Sequence, residues 1–498
     1  MTSPGPTPSP ARTRKIAFTT LFLVEMWERF GYYGMTAVVL LYMVQQLGYT
    51  DVRANLTFGA FTALVYAAPA VGGWIGDRVL GSRRMTVIGA LVLALGYVLL
   101  SLPQAPLFAA LGVVAVGNGL FKANPANLVS KVYEGEPSKV DGAFTLYYMA
   151  VNVGATFSQI LTPLIAIWAG WRAAFAVCAA GMVVAVLNYL VMRRHLAHVG
   201  SPPDFQPLRV GRLLAVLAGG AAAVFLVTFV VQDLAVARGM VWLASLAMLG
   251  IFAVLIARGD SAERRGLVAV LLLTAQGMLF FIFYQQMSTS LTLFALRNVD
   301  LRFLFGYEIP PGQLQALNPI WIFILGPIVA WTYDRLARGP GDLSIAAKFA
   351  LGFAVLAAGF FTFGVSALFA HGGKVSVWWL VGGYGLYSLG EILISGMGLA
   401  MVARYVGPGR RGFVMGLWFL ATGVSQYLGS YVANFASVPE SAADPVQTLP
   451  LYSRLFNGLG VVAVVGTALA VALLPLMRRL SAPAPAATPA TPASSSSA

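Results

Sequence analysis

The chain has 498 residues, of which 58% are hydrophobic and only 10% charged. A soluble domain carries about 25% charged residues, so this composition excludes a water-covered globule. The net charge of +14 does not point to nucleic acid, because most basic residues fall in short connections between apolar stretches, where they set topology.

The N-terminal MTSPGPTPSPARTRK is polar and Pro-rich and lacks the apolar core of a cleavable signal. Residues 1–16 therefore read as a disordered cytoplasmic tail. A spanning helix needs about 20 mostly apolar residues. Six such stretches follow, at 17–45, 54–76, 86–103, 106–130, 141–168 and 172–192. Two more lie near 212–233 and 240–258, and six further ones at 266–295, 314–332, 346–369, 377–403, 412–436 and 451–476. The expected fold is an all-α membrane protein of about fourteen spans, six plus two inserted plus six. The six-helix bundles occupy 17–194 and 261–479, with an inserted hairpin and its linkers at 195–260. The low-complexity segment 480–498 reads as a second disordered tail.

Placing the N-terminus inside puts 23 Lys and Arg residues in cytoplasmic segments and 7 on the other side. By the positive-inside rule both termini are expected in the cytoplasm. The two halves also echo each other. GWIGDRVLGSRR (73–84) follows the second span, and AWTYDRLARG (330–339) holds the same position in the later half. Asp77–Arg78 matches Asp334–Arg335, and Trp74 matches Trp331. Repeats of this kind place a substrate site between them near the membrane midplane. The Gly-x-x-x-Asp-Arg pattern resembles the loop signature of the major facilitator superfamily. Asp77 and Arg78 are then expected in a gating loop, with Asp77 at a helix N-terminus or beside an Arg.

Five charged residues fall inside spans: Glu25, Glu28, Arg29, Lys122 and Glu391. A charge at that depth costs a few kcal/mol or more unless paired or wet. Glu25, Glu28 and Arg29 share one face of the first helix, which Tyr32 and Tyr33 continue. Lys122 is the natural partner for the carboxylate left over. A static ion-pair network and a proton-coupled one both fit that spacing. Asn152, with Tyr148 one turn before it, and Gln285, Asn318 and Trp418 add polar groups to later spans. Singly each is as readily helix–helix glue as ligand; together they suggest a polar cavity shared by both halves. Arg29 and Lys122 suit a carboxylate, and Glu391 suits an ammonium. No metal-ligand spacing, GxSxG or filter-like segment is present, which disfavours an enzyme or a channel.

EMWERFGYYG (25–34) resembles the ExxERFxYYG signature of the proton-dependent oligopeptide transporters, a branch of the major facilitator superfamily. GNGLFKANPANL (117–128), FTLYYMAVNVGA (144–155), LNPIW (317–321) and SLGEILISGMGLAMVA (388–403) resemble that family's other helix segments, in order. The nearest subgroup is that of the bacterial dipeptide and tripeptide permeases. The resemblance implies a proton-coupled importer of dipeptides and tripeptides in the inner (cytoplasmic) membrane. It implies no cofactor beyond the coupling proton. The apolar spans imply a lipid environment, the placement of the basic residues in short loops argues against nucleic acid, and because one chain holds both halves and needs no partner, a monomer is expected. Glu25, Glu28 and Lys122 would couple protons, and Arg29 and Lys122 would meet the peptide carboxylate. Glu391 and Asn318 would hold its amino end. Tyr32, Tyr33, Tyr66, Tyr148, Asn152, Gln285, Ser395 and Trp418 would line the pocket. A drug-like or anionic cargo, or export, is the alternative on the same fold. Gln285 departs from the pattern: many members carry an acid there, thought to pair with the first-helix Arg and close the outer gate.

Overall fold

The computed structural model describes residues 10–339, 343–394, 396–438 and 444–481. The first half comprises α1 (Pro10–Leu41), α2 (Asp51–Ala67), α3 (Pro69–Ile75), α4 (Ser82–Ser101), α5 (Leu107–Val132) and α6 (Pro137–Met192). Then come the inserted α7 (Val210–Gln232) and α8 (Leu234–Arg258). The second half comprises α9 (Ser261–Gln285), α10 (Ser290–Asn298), α11 (Leu317–Ala337), α12 (Ile345–Val365), α13 (Val377–Ile394), α14 (Met397–Tyr405), α15 (Arg411–Ala433) and α16 (Pro445–Ser481). The all-α membrane architecture anticipated above is thus present.

Among the described residues, eleven stretches are long and apolar enough to cross a membrane. One of them, Gly142–Leu196, has 55 residues, or about 80 Å at 1.5 Å per residue, against a hydrocarbon core of about 30 Å. The chain turns inside it at Gly170, whose φ of 85° lies where a side chain is disfavoured. With 32 and 23 residues, α1 and α15 also have the length of a span; α1 is less apolar because Glu25, Glu28 and Arg29 sit in its middle. Helix α1 starts at Pro10, inside the segment expected as a tail; residues 1–9 and 482–498 lie outside the described ones.

Two close approaches position the site. A Cβ at Gly154 of α6 would sit 2.2 Å from the Met26 carbonyl oxygen, and one at Gly72 of α3 would sit 1.9 Å from that of Gly119. Only a residue without a side chain lets these backbones touch. The first contact seats α6 on the charged stretch of α1. The second seats α5, and with it Lys122, against the end of the second span.

The two halves are laced together on the face opposite the chain ends. Arg297 of α10 donates to both oxygens of Asp51, at 2.6 and 2.7 Å, and to the Tyr452 hydroxyl at 2.8 Å. Asn55 donates to Asn434 at 2.9 Å, and Gln313 to the Ile160 carbonyl at 2.6 Å. A two-residue parallel ladder, Val299–Asp300 with Val375–Ser376, ties the second half's own loops there.

On the chain-end face the linker into α7 is strapped to the first half. Arg83 donates to the carbonyls of Leu196, Ala197 and Asp204, and Arg84 to those of Leu80, Pro203 and Gln206. Ser201 and Asp204 form a capping box on the turn between. The inserted pair then lies along the outside of the molecule, α7 against α5 and α8 against α9 and α15. Phe225 and Trp242 point outward, as lipid-facing side chains do.

Candidate functional site

The charged residues of α1 and α5 close into one cluster. Arg29 binds Glu28 through two nitrogens, the Nη2 contact being 2.6 Å, and its Nε lies 3.6 Å from Glu25. Lys122 donates to Glu25 at 2.9 Å. Two carboxylates meet two cations, so the buried cluster is neutral. That satisfies the condition under which ions persist away from water. Glu25 and Glu28 are fully enclosed, whereas the Lys122 side chain is 36% exposed.

Two polar neighbours complete the cluster and were not anticipated. Tyr147 donates to Glu25, and Asn118 accepts from Arg29 at 3.3 Å while donating to the Val65 carbonyl at 3.0 Å. Asn118 lies one helical turn before Lys122, so its i, i+4 spacing was a usable signal. Tyr147 and Tyr148 are adjacent in sequence. Only the phase of α6 against α1 decides that Tyr147 meets Glu25 while Tyr148 faces elsewhere.

Beside the cluster a cavity of about 500 Å³ opens between the halves, within the range of small-ligand sites. Tyr33, Tyr66, Tyr148 and Asn152 line it from the first half, and Tyr284, Asn318 and Glu391 from the second. Asn318 donates to Glu391 at 2.7 Å and to Ser388 at 3.0 Å. Tyr33 joins cavity and cluster: it lines the cavity, and its ring centre lies 5.9 Å from the Arg29 guanidinium. Tyr148 is 45% exposed, so the cavity wall is open to its surroundings even as the far face is tied shut.

Several expected pocket residues lie outside that wall. Tyr32 is buried against Tyr33, with Arg29 over its ring at 5.1 Å. Trp418 sits a layer back, edge-on to the cavity residue Phe281, in a slot that a Cβ at Gly277 or Gly398 would fill. Gln285 donates to Thr62 of α2 at 3.2 Å and to Ser430 of α15 at 2.9 Å. It is therefore a neutral tie between the halves, not a pocket group, and it does not engage Arg29. Arg29 and Lys122 do not face the cavity in this conformation because the two glutamates hold them. Ser395 lies outside the described residues. In the loop signature, Asp77 accepts from Asn127 at 2.6 Å and Ser201 at 3.1 Å, so it takes neutral donors and not an arginine; Arg78 is exposed. Trp74 and Trp331, the echoed tryptophans, are both exposed outward.

Two helix bundles that enclose a polar, ion-bearing cavity, sealed on one face, define a multi-span membrane transporter of the major facilitator type. The family model described as the POT family matches residues 83–450. The chain belongs to that family. It is 42% identical over 467 residues to dipeptide and tripeptide permease B of Salmonella typhimurium, covering 93% of this chain and 95% of that one. It is 40% identical over 470 residues to dipeptide and tripeptide permease A of Escherichia coli K12, covering 93% of each. Among solved structures, tetrameric PepTSo2 superposes with a TM-score of 0.86 at 51% identity, over 94% of this chain and 99% of that one. A peptide transporter POT in complex with sulfate superposes with a TM-score of 0.82 at 26% identity, over 95% and 99%.

Proposed function

We propose that the chain imports dipeptides and tripeptides together with protons by alternating access. The observation that carries this reading is the neutral four-ion cluster beside a cavity whose opposite wall bears Glu391. A zwitterionic peptide presents an ammonium to Glu391 and Asn318 and a carboxylate to Arg29 or Lys122. To take that carboxylate, a cation must leave its glutamate. A glutamate abandoned in a buried site is stable only with a proton. Peptide and proton therefore enter as a pair, and the proton leaves when the glutamate regains its cation. The backbone of the peptide lies along Tyr33, Tyr66, Tyr148 and Asn152.

The tied far face and the exposed Lys122 and Tyr148 suit the stage that releases cargo toward the chain-end side, which the basic-residue bias makes cytoplasmic. The names of the permease relatives and of the peptide transporters supply the cargo class. One chain contributes both walls of the cavity, so the site needs no second copy. Reconstitution in liposomes tests the reading: an inward proton gradient drives accumulation of a labelled dipeptide above equilibrium. Absence of accumulation, with facilitated equilibration intact, overturns proton coupling.

A further inference from the structure

A second cavity, of about 640 Å³, opens on the chain-end face between α4, α6 and α7. Its polar rim carries Arg83, Arg84, Arg193 and Arg194, with Asp204 the one carboxylate among its lining residues. That carboxylate is already committed: it pairs with Arg83, whose Nε lies 3.8 Å away, and accepts from the backbone N–H groups of Arg83 and Ser201. Arg84 donates to neutral carbonyls, so its charge is not cancelled. Arg194 donates to His195, and Arg193 has no hydrogen-bond or ion-pair partner among the described residues.

The other wall is apolar, formed by Val87 and Ile88 of α4, Leu190 of α6 and Leu213 of α7, with the Tyr189 ring among them. The groove lies at three helix boundaries, the start of α4 at Ser82, the end of α6 at Met192 and the start of α7 at Val210. It thus sits where the spans leave the hydrocarbon, the depth at which phosphates of lipid headgroups lie. Three guanidinium groups with uncancelled charge, Arg84, Arg193 and Arg194, above a hydrocarbon-facing apolar wall match one chemistry: a phosphodiester headgroup with acyl chains attached.

We propose that this groove binds an anionic phospholipid, its phosphate held by Arg193 and Arg194 with Arg84 behind them, and its acyl chains along α4, α6 and α7. The strap that builds the groove also carries the linker to the inserted pair, so the bound lipid stabilises the junction between the first bundle and α7. This inference stands apart from the transport reading.

Native mass spectrometry of the delipidated full chain in detergent, titrated with phosphatidylglycerol or phosphatidylcholine, tests it. Each basic residue near a headgroup is worth about fivefold in affinity. R193Q/R194Q is therefore expected to weaken phosphatidylglycerol binding about 25-fold, and R193K/R194K to keep most of it. R478Q/R479Q removes the same charge from the end of α16 and is expected to leave binding unchanged. Equal weakening by R478Q/R479Q, or equal binding of the two lipids by the unaltered chain, overturns the proposal. Binding of glycerol phosphate as tight as that of the lipid also overturns it, in favour of a soluble-anion site.

Discussion

Lys122 is the member of the ion cluster that solvent reaches most readily, and Glu25 behind it is fully enclosed. Removing one partner of such a pair leaves a buried charge and costs about 3–5 kcal/mol. Lys122→Ala is therefore expected to lower the melting temperature in detergent, and Glu25→Gln in the same chain to restore most of it. Unchanged stability of Lys122→Ala would show that the pair is not held in solution. Glu25→Gln or Glu28→Gln is expected to impair proton-driven uptake more than counterflow exchange; equal loss of both would assign these residues to binding or folding. Glu391→Gln removes one charge-assisted contact, worth about 1.5–3 kcal/mol. It is expected to weaken peptides with a free amino end by about ten- to a hundredfold, and amino-blocked peptides far less. An equal effect on both would take the ammonium away from Glu391. These five charges were legible in the sequence because an ion in an apolar run stands out on energetic grounds alone. Tyr147 was not legible, since nothing local separates it from Tyr148.

At the scale of elements, the seal between the halves rests on α2 meeting α10 and α15. Arg297 reads in sequence as one more topology-setting charge at the end of a span. Its partner Asp51 lies far away in the chain, and no local periodicity links them. Gln285 was singled out because it lacks an acid's charge, yet its neutral amide is what lets it tie Thr62 to Ser430. Asp51→Asn is expected to raise maleimide labelling of a Ser430→Cys probe about tenfold, the equivalent of one charge-assisted hydrogen bond. Exchanging the two charges, Asp51→Arg with Arg297→Asp, is expected to reverse the effect; identical labelling in all three chains would mean the pair seals nothing. Packing has the same precision on the α1–α6 contact. Gly154→Ala places a methyl group against the Met26 backbone and is expected to cost about 1–3 kcal/mol, read as a lower melting temperature.

For the whole molecule, the pH response follows from which groups can titrate. His195, His198 and His371 all lie outside the helices, in 3₁₀ turns or loops. Replacing all three with Gln is expected to leave the pH profile of uptake in place; its loss would move coupling away from the carboxylates. The loop acid Asp300 is equally silent. Hydrogen bonds from Arg302 hold it down to about 2, below its ordinary range. Its pairing is therefore present above the ordinary carboxylate value and lost only as pH falls toward 2, outside the window of about pH 5–8 where histidine-like switches act. The overall architecture was the most legible feature, because hydropathy reports spans directly. The strap across the first half was the least, because it depends on carbonyl oxygens that every residue carries.

That strap has a consequence for how the protein is made. Every group it joins, from Arg83 to Gln206, has left the ribosome before any of the second half is synthesised. The first bundle can close and lock its own exit linker as a finished unit, in keeping with domain-by-domain folding during translation. Asp51, Asn55 and Thr62 must wait, their partners lying at Arg297, Asn434 and Gln285. The contacts formed early are thus those within the first bundle, and the ties between the two halves form only once the second half has been made.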